Sequence, residues 1–270
     1  MQKIIRLITL NIVFLLSMTY LNAENNDAYR YKWVGTFAKG SPYTEQVLSG
    51  AMMWEGFADI IKKRWAEGYD LTELKYGNGK WVGVFSKGGE WKHQAYDVTG
   101  RWGSMSFAIQ KRWREGYYVV AIEQGLAEWV AVYAKNTGYT NQSFERQKTL
   151  SGFQEKVVQR WKDGFELTDM EYGEGHWLAI FSKGIKRGHH AMSVRSNWKK
   201  FMRAIENRKE QGYTITEMAF GVGKWAGVFA DRPEYTAYFY RAEPTLAGLG
   251  QLLREKRQEG FALIDLAEGW

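Results

Sequence analysis

The run Trp81 to Lys87, WVGVFSK, recurs with small changes at Trp33 (WVGTFAK), Trp129 (WVAVYAK), Trp177 (WLAIFSK) and Trp225 (WAGVFAD), each copy displaced from the last by 48 residues. The Gly–aromatic pairs that begin at Gly68, Gly116, Gly164, Gly212 and Gly260 keep the same interval. Self-similarity at such a period means one supersecondary unit written five times; no copy can bury its apolar surface alone, so each must stack on its neighbours. The repeat overrides the one or two unrelated domains that a length of 270 would otherwise imply. Residues 31–270 are therefore read as a single domain of five 48-residue repeats.

The first unit shows the element order. Trp33 to Lys39 reads as a strand, Gly40 to Thr44 as a loop, and Gln46 to Leu48 as a second strand. Phe57, Ile60, Ile61, Arg64 and Trp65 then recur at the three- and four-residue spacing of one helix face. Gly68 stops the helix, and Asp70 to Tyr76 forms a third strand. The unit is thus ββαβ, and the fifth copy closes with a helix from Leu246 to Gln258 and a strand from Ala262 to Leu266. Short Gly-rich links such as Gly77-Asn78-Gly79-Lys80 read as hairpin turns that carry each third strand into the next Trp strand.

This connectivity leaves the first Trp strand and the last third strand each without a partner. Pairing Ala262 to Leu266 with Trp33 to Lys39 removes both exposed edges. The expected fold is therefore an α+β repeat whose five ββαβ units close into an α/β propeller, pentein-like in element order, with an open α/β solenoid as the alternative. Alternation along WVGVFSK puts Trp81, Gly83, Phe85 and Lys87 on one face and Val82, Val84 and Ser86 on the other. Gly35, Gly83, Ala131, Ala179 and Gly227 never carry a larger side chain, so something approaches that backbone closely. The valines are expected to face the helix layer, and Trp and Gly the neighbouring unit.

At the N-terminus Lys3 and Arg6 precede an apolar run from Leu7 to Leu16, and Ala23 is followed by polar Glu24 to Asp27. This layout implies a signal peptide over residues 1–23, a polar leader over 24–30, and a periplasmic or secreted protein without a transmembrane segment after cleavage. There is no cysteine, which excludes disulfides and a lipid-modified cysteine. The formal charge of +7 falls to +5 once Lys3 and Arg6 leave with the signal. That excess is spread through the repeats rather than gathered in one run, so nucleic acid is not an expected partner.

Three side-chain series follow the period. Lys39, Lys87, Lys135 and Lys183, with Asp231 as the fifth member, end the Trp strands; equivalent sites of a ring share a face, so these lysines are expected to form a basic annulus at one mouth. Gln46, Gln94 and Gln142, continued by His190 and Tyr238, stand seven residues further on, and the loop between holds Tyr43 and Tyr139. Glu73, Asp169, Glu217 and Asp265, interrupted by Ala121, form an acidic series. Its members are expected to pair with the helix arginines Arg64, Arg112, Arg160 and Arg208, with paired acids for glycoside hydrolysis as the alternative. The adjacent His189 and His190 cannot close a metal site alone, and no metal or cofactor motif is present.

Two pairs of stretches carry a family resemblance: AKGSPYTEQV (Ala38 to Val47) with AKNTGYTNQSF (Ala134 to Phe144), and KRWREGYYV (Lys111 to Val119) with QRWKDGFELT (Gln159 to Thr168). They resemble the repeat of the domain that follows the kinase in plant casein-kinase-like proteins, also met in bacterial proteins of unassigned function. The resemblance spans residues 31–267 and implies a noncatalytic repeat domain with no active site to carry over. Units four and five depart from it. Ile185 to His189 replaces the Pro-Tyr-Thr loop, and Lys209 and Arg257 stand where the helix tryptophan is expected. The functional expectation is an exported, noncatalytic protein that binds a protein partner through loops at one mouth, by Lys39, Lys87, Lys135 and Lys183, Tyr43 and Tyr139, and Gln46, Gln94 and Gln142. An acidic envelope glycan is the second expectation, and a glycoside hydrolase or lyase using Asp169 and Glu217 the third.

Overall fold

A computed structural model describes residues 30–270. The expected signal peptide, and the leader up to residue 29, lie outside the described residues. Each unit contributes three strands and one helix. Unit one contains β1 (Lys32–Lys39), β2 (Glu45–Ala51), α1 (Trp54–Ala66) and β3 (Asp70–Gly77); unit two contains β4 (Lys80–Lys87), β5 (Lys92–Thr99), α2 (Trp102–Arg114) and β6 (Tyr118–Gly125). Unit three follows with β7 (Glu128–Lys135), β8 (Asn141–Gln147), α3 (Leu150–Lys162) and β9 (Glu166–Gly173). Unit four contains β10 (His176–Lys183), β11 (His190–Arg195), α4 (Trp198–Glu210) and β12 (Thr214–Gly221), and unit five β13 (Lys224–Ala230), β14 (Thr236–Glu243), α5 (Leu246–Gln258) and β15 (Ala262–Gly269).

The strands form five three-stranded antiparallel sheets, β2-β4-β3, β5-β7-β6, β8-β10-β9, β11-β13-β12 and β14-β1-β15. Every sheet joins two units: a Trp strand lies at its centre, and the second and third strands of the preceding unit flank it. Asn78 and Gly79, both at positive φ (47° and 73°), make the first tight turn between a third strand and its partner. In the fifth sheet, β1 pairs with both β14 and β15, in the register Gly35 opposite Leu266. The third strands are also neighbours across sheets: β3 lies against β6 and β15, and β9 against β6 and β12. Among the described residues, no helix is long and apolar enough to cross a membrane.

Each helix ends in a Schellman motif. Gly68 takes φ +80°, and the Tyr69 N–H donates to the Arg64 carbonyl at 3.0 Å. The Gly–aromatic series is therefore a helix stop followed by an anchoring ring.

Both faces of the central strand meet a helix of another unit, whereas the sequence expectation turns only the valines to the helix layer. Trp81 and Phe85 pack with Trp54, Phe57 and Ile61 of α1, the helix of their own sheet. A side chain at Gly83 would meet Leu71 at 2.5 Å and Phe57 at 2.8 Å, so the close approach at the small position comes from a helix phenylalanine and the adjacent third strand. Val82 and Val84 pack on Leu249 and Leu253 of α5 and on Leu263 and Leu266 of β15. Size separates the two faces: the helix on the Trp face needs a small residue beneath its phenylalanine, whereas branched valines fill the space beneath the leucines of α5 and β15. All five strand tryptophans are buried, as core residues.

Candidate functional site

Every third strand contains a β-bulge at the same place. Pairing skips Thr72, Val120, Thr168, Thr216 and Ile264, between residues such as Leu71 and Glu73. Thr72 pins the first bulge through the Val84 carbonyl (3.2 Å) and the Ser86 hydroxyl (2.7 Å), and Thr168 makes the equivalent contact with Ser182 (2.8 Å). A bulge re-aims the side chain that follows it. Here the following residues are Glu73, Ala121, Asp169, Glu217 and Asp265, and all five line one cavity of about 280 Å³.

A second set of equivalent residues lines the same cavity: Tyr43, Trp91, Tyr139, Arg187 and Tyr235, one from each unit and 48 apart. Four aromatic rings and a guanidinium thus join the carboxyl groups and Ala121 around one volume. Lys75 also lines it, its ammonium 3.1 Å from both Glu123 and Glu171. Arg187 reaches inward, donating to the Leu167 carbonyl at 3.0 Å and to Glu234 at 3.2 Å, with Glu217 at 3.7 Å.

The carboxyls also hold neighbouring third strands together. Asp169 accepts the Ile122 N–H at 2.6 Å, Asp265 accepts the Met218 N–H and the Thr36 hydroxyl (3.2 Å), and Glu73 accepts the Leu266 N–H. Burial raises the Asp169 carboxyl to about 6 and the Asp265 carboxyl to about 7. Burial first, and then the charges of Asp265 and Asp169, push Glu73 and Glu217 well above the ordinary carboxylate range. Carboxyls this close and this dry cannot all ionise, so at neutral pH the cavity offers both protonated donors and charged acceptors. Lys75 stays charged against the cost of its burial because Glu123 and Glu171 flank it. The arrangement can accept a cation, hydrogen-bond a polyhydroxylated ligand, or supply an acid and a base of separated pKa.

The acidic series does not pair with the helix arginines. Arg112 is bonded to Asp97 (2.8 Å) and Arg160 to Glu145 (2.6 Å), while Arg64 and Arg208 reach Ser49 and Ser193. Those partners sit fifteen residues before each arginine, on the second strand of the same unit, and the bulge turns the acidic residues away toward the cavity.

Of the other expected residues, Tyr43 and Tyr139 line the cavity and the remainder do not. Lys39, Lys87, Lys135 and Lys183 form no annulus. Each ammonium lies over the ring of a Gly–aromatic pair, at 4.6 Å from Phe261, 4.4 Å from Tyr69, 4.5 Å from Tyr117 and 4.5 Å from Phe165. Alternation turns these lysines to the helix face of their sheets, away from the common centre. The glutamines are staples between sheets. Gln142 accepts the Val119 N–H (2.8 Å) and the Trp113 indole N–H (2.9 Å) and donates to the Val119 carbonyl (2.8 Å); Gln46 and Gln94 bind Leu263 and Leu71 in the same way. His189 contacts Asp231 (2.7 Å), and His190 contacts Glu166 and stacks on Trp161. Among the described residues, no group of three His, Asp or Glu could hold a metal ion.

Sequence reasoning missed Trp91, Arg187 and Tyr235. The signal was present: adding 48 to Tyr43 reaches each in turn, but Trp91 and Arg187 change residue type and break the visual match. Residues 26–171 match the model of a family described as a domain of unknown function, DUF7477. No curated protein matches the chain.

Proposed function

We propose, for a chain that belongs to the DUF7477 family, a noncatalytic five-bladed ring that binds a protein partner at one mouth, with a basic side chain of that partner entering the central cavity. The propeller reading is supported by the pairing of β1 with β14 and β15 and by the cyclic adjacency of the third strands. The binding reading rests on one observation above others: one aromatic or cationic residue from every unit and the four carboxyls of the acidic series line the same cavity. Aromatic anchors around charged acceptors suit a desolvated contact with Lys or Arg. Arg187 already places a guanidinium beside Glu217 and Glu234, which supports a cationic guest. The noncatalytic repeat domains that residues 31–267 resemble point the same way, and the signal-peptide layout supports export.

The test is affinity capture from a cell-envelope extract with the wild-type chain and a Y43A/Y139A/Y235A variant, followed by calorimetry on the purified partner. The expected result is a partner lost or weakened by about a hundredfold in the variant. Equal affinity for both baits would overturn the reading. An acidic glycan loses its support because the lysines do not converge and the cavity is acidic.

A second reading, a glycoside hydrolase or lyase, is favoured by two carboxyls in one cavity, Asp169 raised to about 6 and Glu217 pushed well above the ordinary range by burial. Turnover of a chromogenic glycoside, abolished in both D169N and E217Q, would establish it in place of the binding reading.

A further inference from the structure

The repeat exposes a second site in the gap between units four and five. In the first three gaps a helix tryptophan fills the space beside the next unit's second strand. Trp65 donates to Gln94 (2.8 Å) beside Tyr96, Trp113 donates to Gln142 (2.9 Å) and stacks on Phe144 at 5.8 Å, and Trp161 stacks on His190 at 4.9 Å. In the gap from unit five to unit one Arg257 takes this place and donates to the Tyr43 (2.8 Å) and Thr44 (2.7 Å) carbonyls. Unit four has Lys209 instead, and Lys209 is exposed. The next strand has Tyr238 where the glutamine belongs, with its hydroxyl turned to the Tyr235 N–H at 3.0 Å.

What remains is a cavity of about 530 Å³ between α4 and β14, lined by Trp198, Met202, Ile205, Tyr238 and Tyr240 and bordered by Lys209. We infer that this groove binds a small free planar aromatic molecule of indole size, in the place that the chain's own tryptophan occupies in the first three gaps. Tyr240 corresponds to the rings on which Trp65 and Trp113 rest, and Glu206, hydrogen-bonded to Tyr240, offers an acceptor for a ring N–H. A free ligand fits better than a docked peptide strand: the approach to β14 carries Pro233, and Ala237 at φ 53° breaks the regular edge that a strand would need.

The groove shares Tyr235 with the central cavity and otherwise has its own lining, and its test does not depend on the proposed partner. Indole is the probe, followed by ligand-observed saturation-transfer NMR and calorimetry. Wild-type protein and the D169N variant should bind it alike. K209W, which restores the missing ring, and M202W, which fills the groove from the helix, should each weaken binding by about tenfold or more, with far-UV circular dichroism unchanged. If K209W does not fold, M202W decides. No wild-type binding at millimolar indole, undiminished binding to the folded variants, or binding of N-acetyltryptophanamide without binding of free indole would each overturn the inference.

Discussion

Gln142 bonds the Val119 backbone of a neighbouring sheet and Ser182 of its own, so its removal acts on two sheets together. Q142A strips partners from the buried Val119 N–H, the Val119 carbonyl and the Trp113 indole, and should cost about 3 kcal/mol, read as a lower urea midpoint. Gly83 is sensitive for a different reason. In G83A the new methyl would press on Leu71 and Phe57, costing about 1–3 kcal/mol in the same measurement. The cavity carboxyls give a pH dependence whose sign follows from their raised values. Unfolded, Asp169 and Asp265 titrate near 3.8; folded, near 6 and 7. Between those limits the folded chain keeps protons that the unfolded chain has lost. Stability is therefore fully present below the unfolded value and declines as pH rises through the folded ones. The urea midpoint should fall between about pH 4 and about pH 7, and D265N should flatten that slope. Much of this scale was legible: the acids, tyrosines and glutamines all appear as 48-residue series. Their partners were not, because a period says which residues are equivalent and not which neighbour they meet.

Strands, helices and their order follow from the spacing of WVGVFSK and the Gly–aromatic pairs, and α5 runs over the same residues in sequence and structure. The third strand held what alternation could not reveal. A bulge adds one residue without altering composition, and its positions carry Thr in three units, Val in one and Ile in one. The acidic residue after it therefore looked like part of a regular strand. T168V removes the hydroxyl that pins one bulge to Ser182 and Ile180. It should cost about 1 kcal/mol, and hydrogen exchange should speed at Ile122, whose N–H is held by Asp169. That both faces of β4 meet a helix was hidden for a related reason, since burial on both sides leaves no polar face to tell one side from the other.

At the scale of the molecule, no sheet belongs to a single repeat. Tyr31 meets Trp270 edge-on at 5.4 Å, and the Trp225 indole donates to the Trp270 carbonyl at 2.7 Å, so the two ends of the described chain meet in one place. Closure of the proposed ring could be anticipated from the unpartnered strands at either end, whereas the central cavity could not, because five equivalent residues meet there only after every sheet has formed. Sharing sheets between repeats has a further consequence for any shortened version of the chain. A fragment of residues 30–173 keeps β1 without either flanking strand, and β8 and β9 without the strand that belongs between them. One end is a plug and the other a socket of matching shape. Such a fragment is a monomer for head-to-tail polymerisation, and analytical ultracentrifugation should find it growing with concentration into chains or larger rings. Adding the complementary piece, residues 174–270, should terminate that growth at a one-to-one complex.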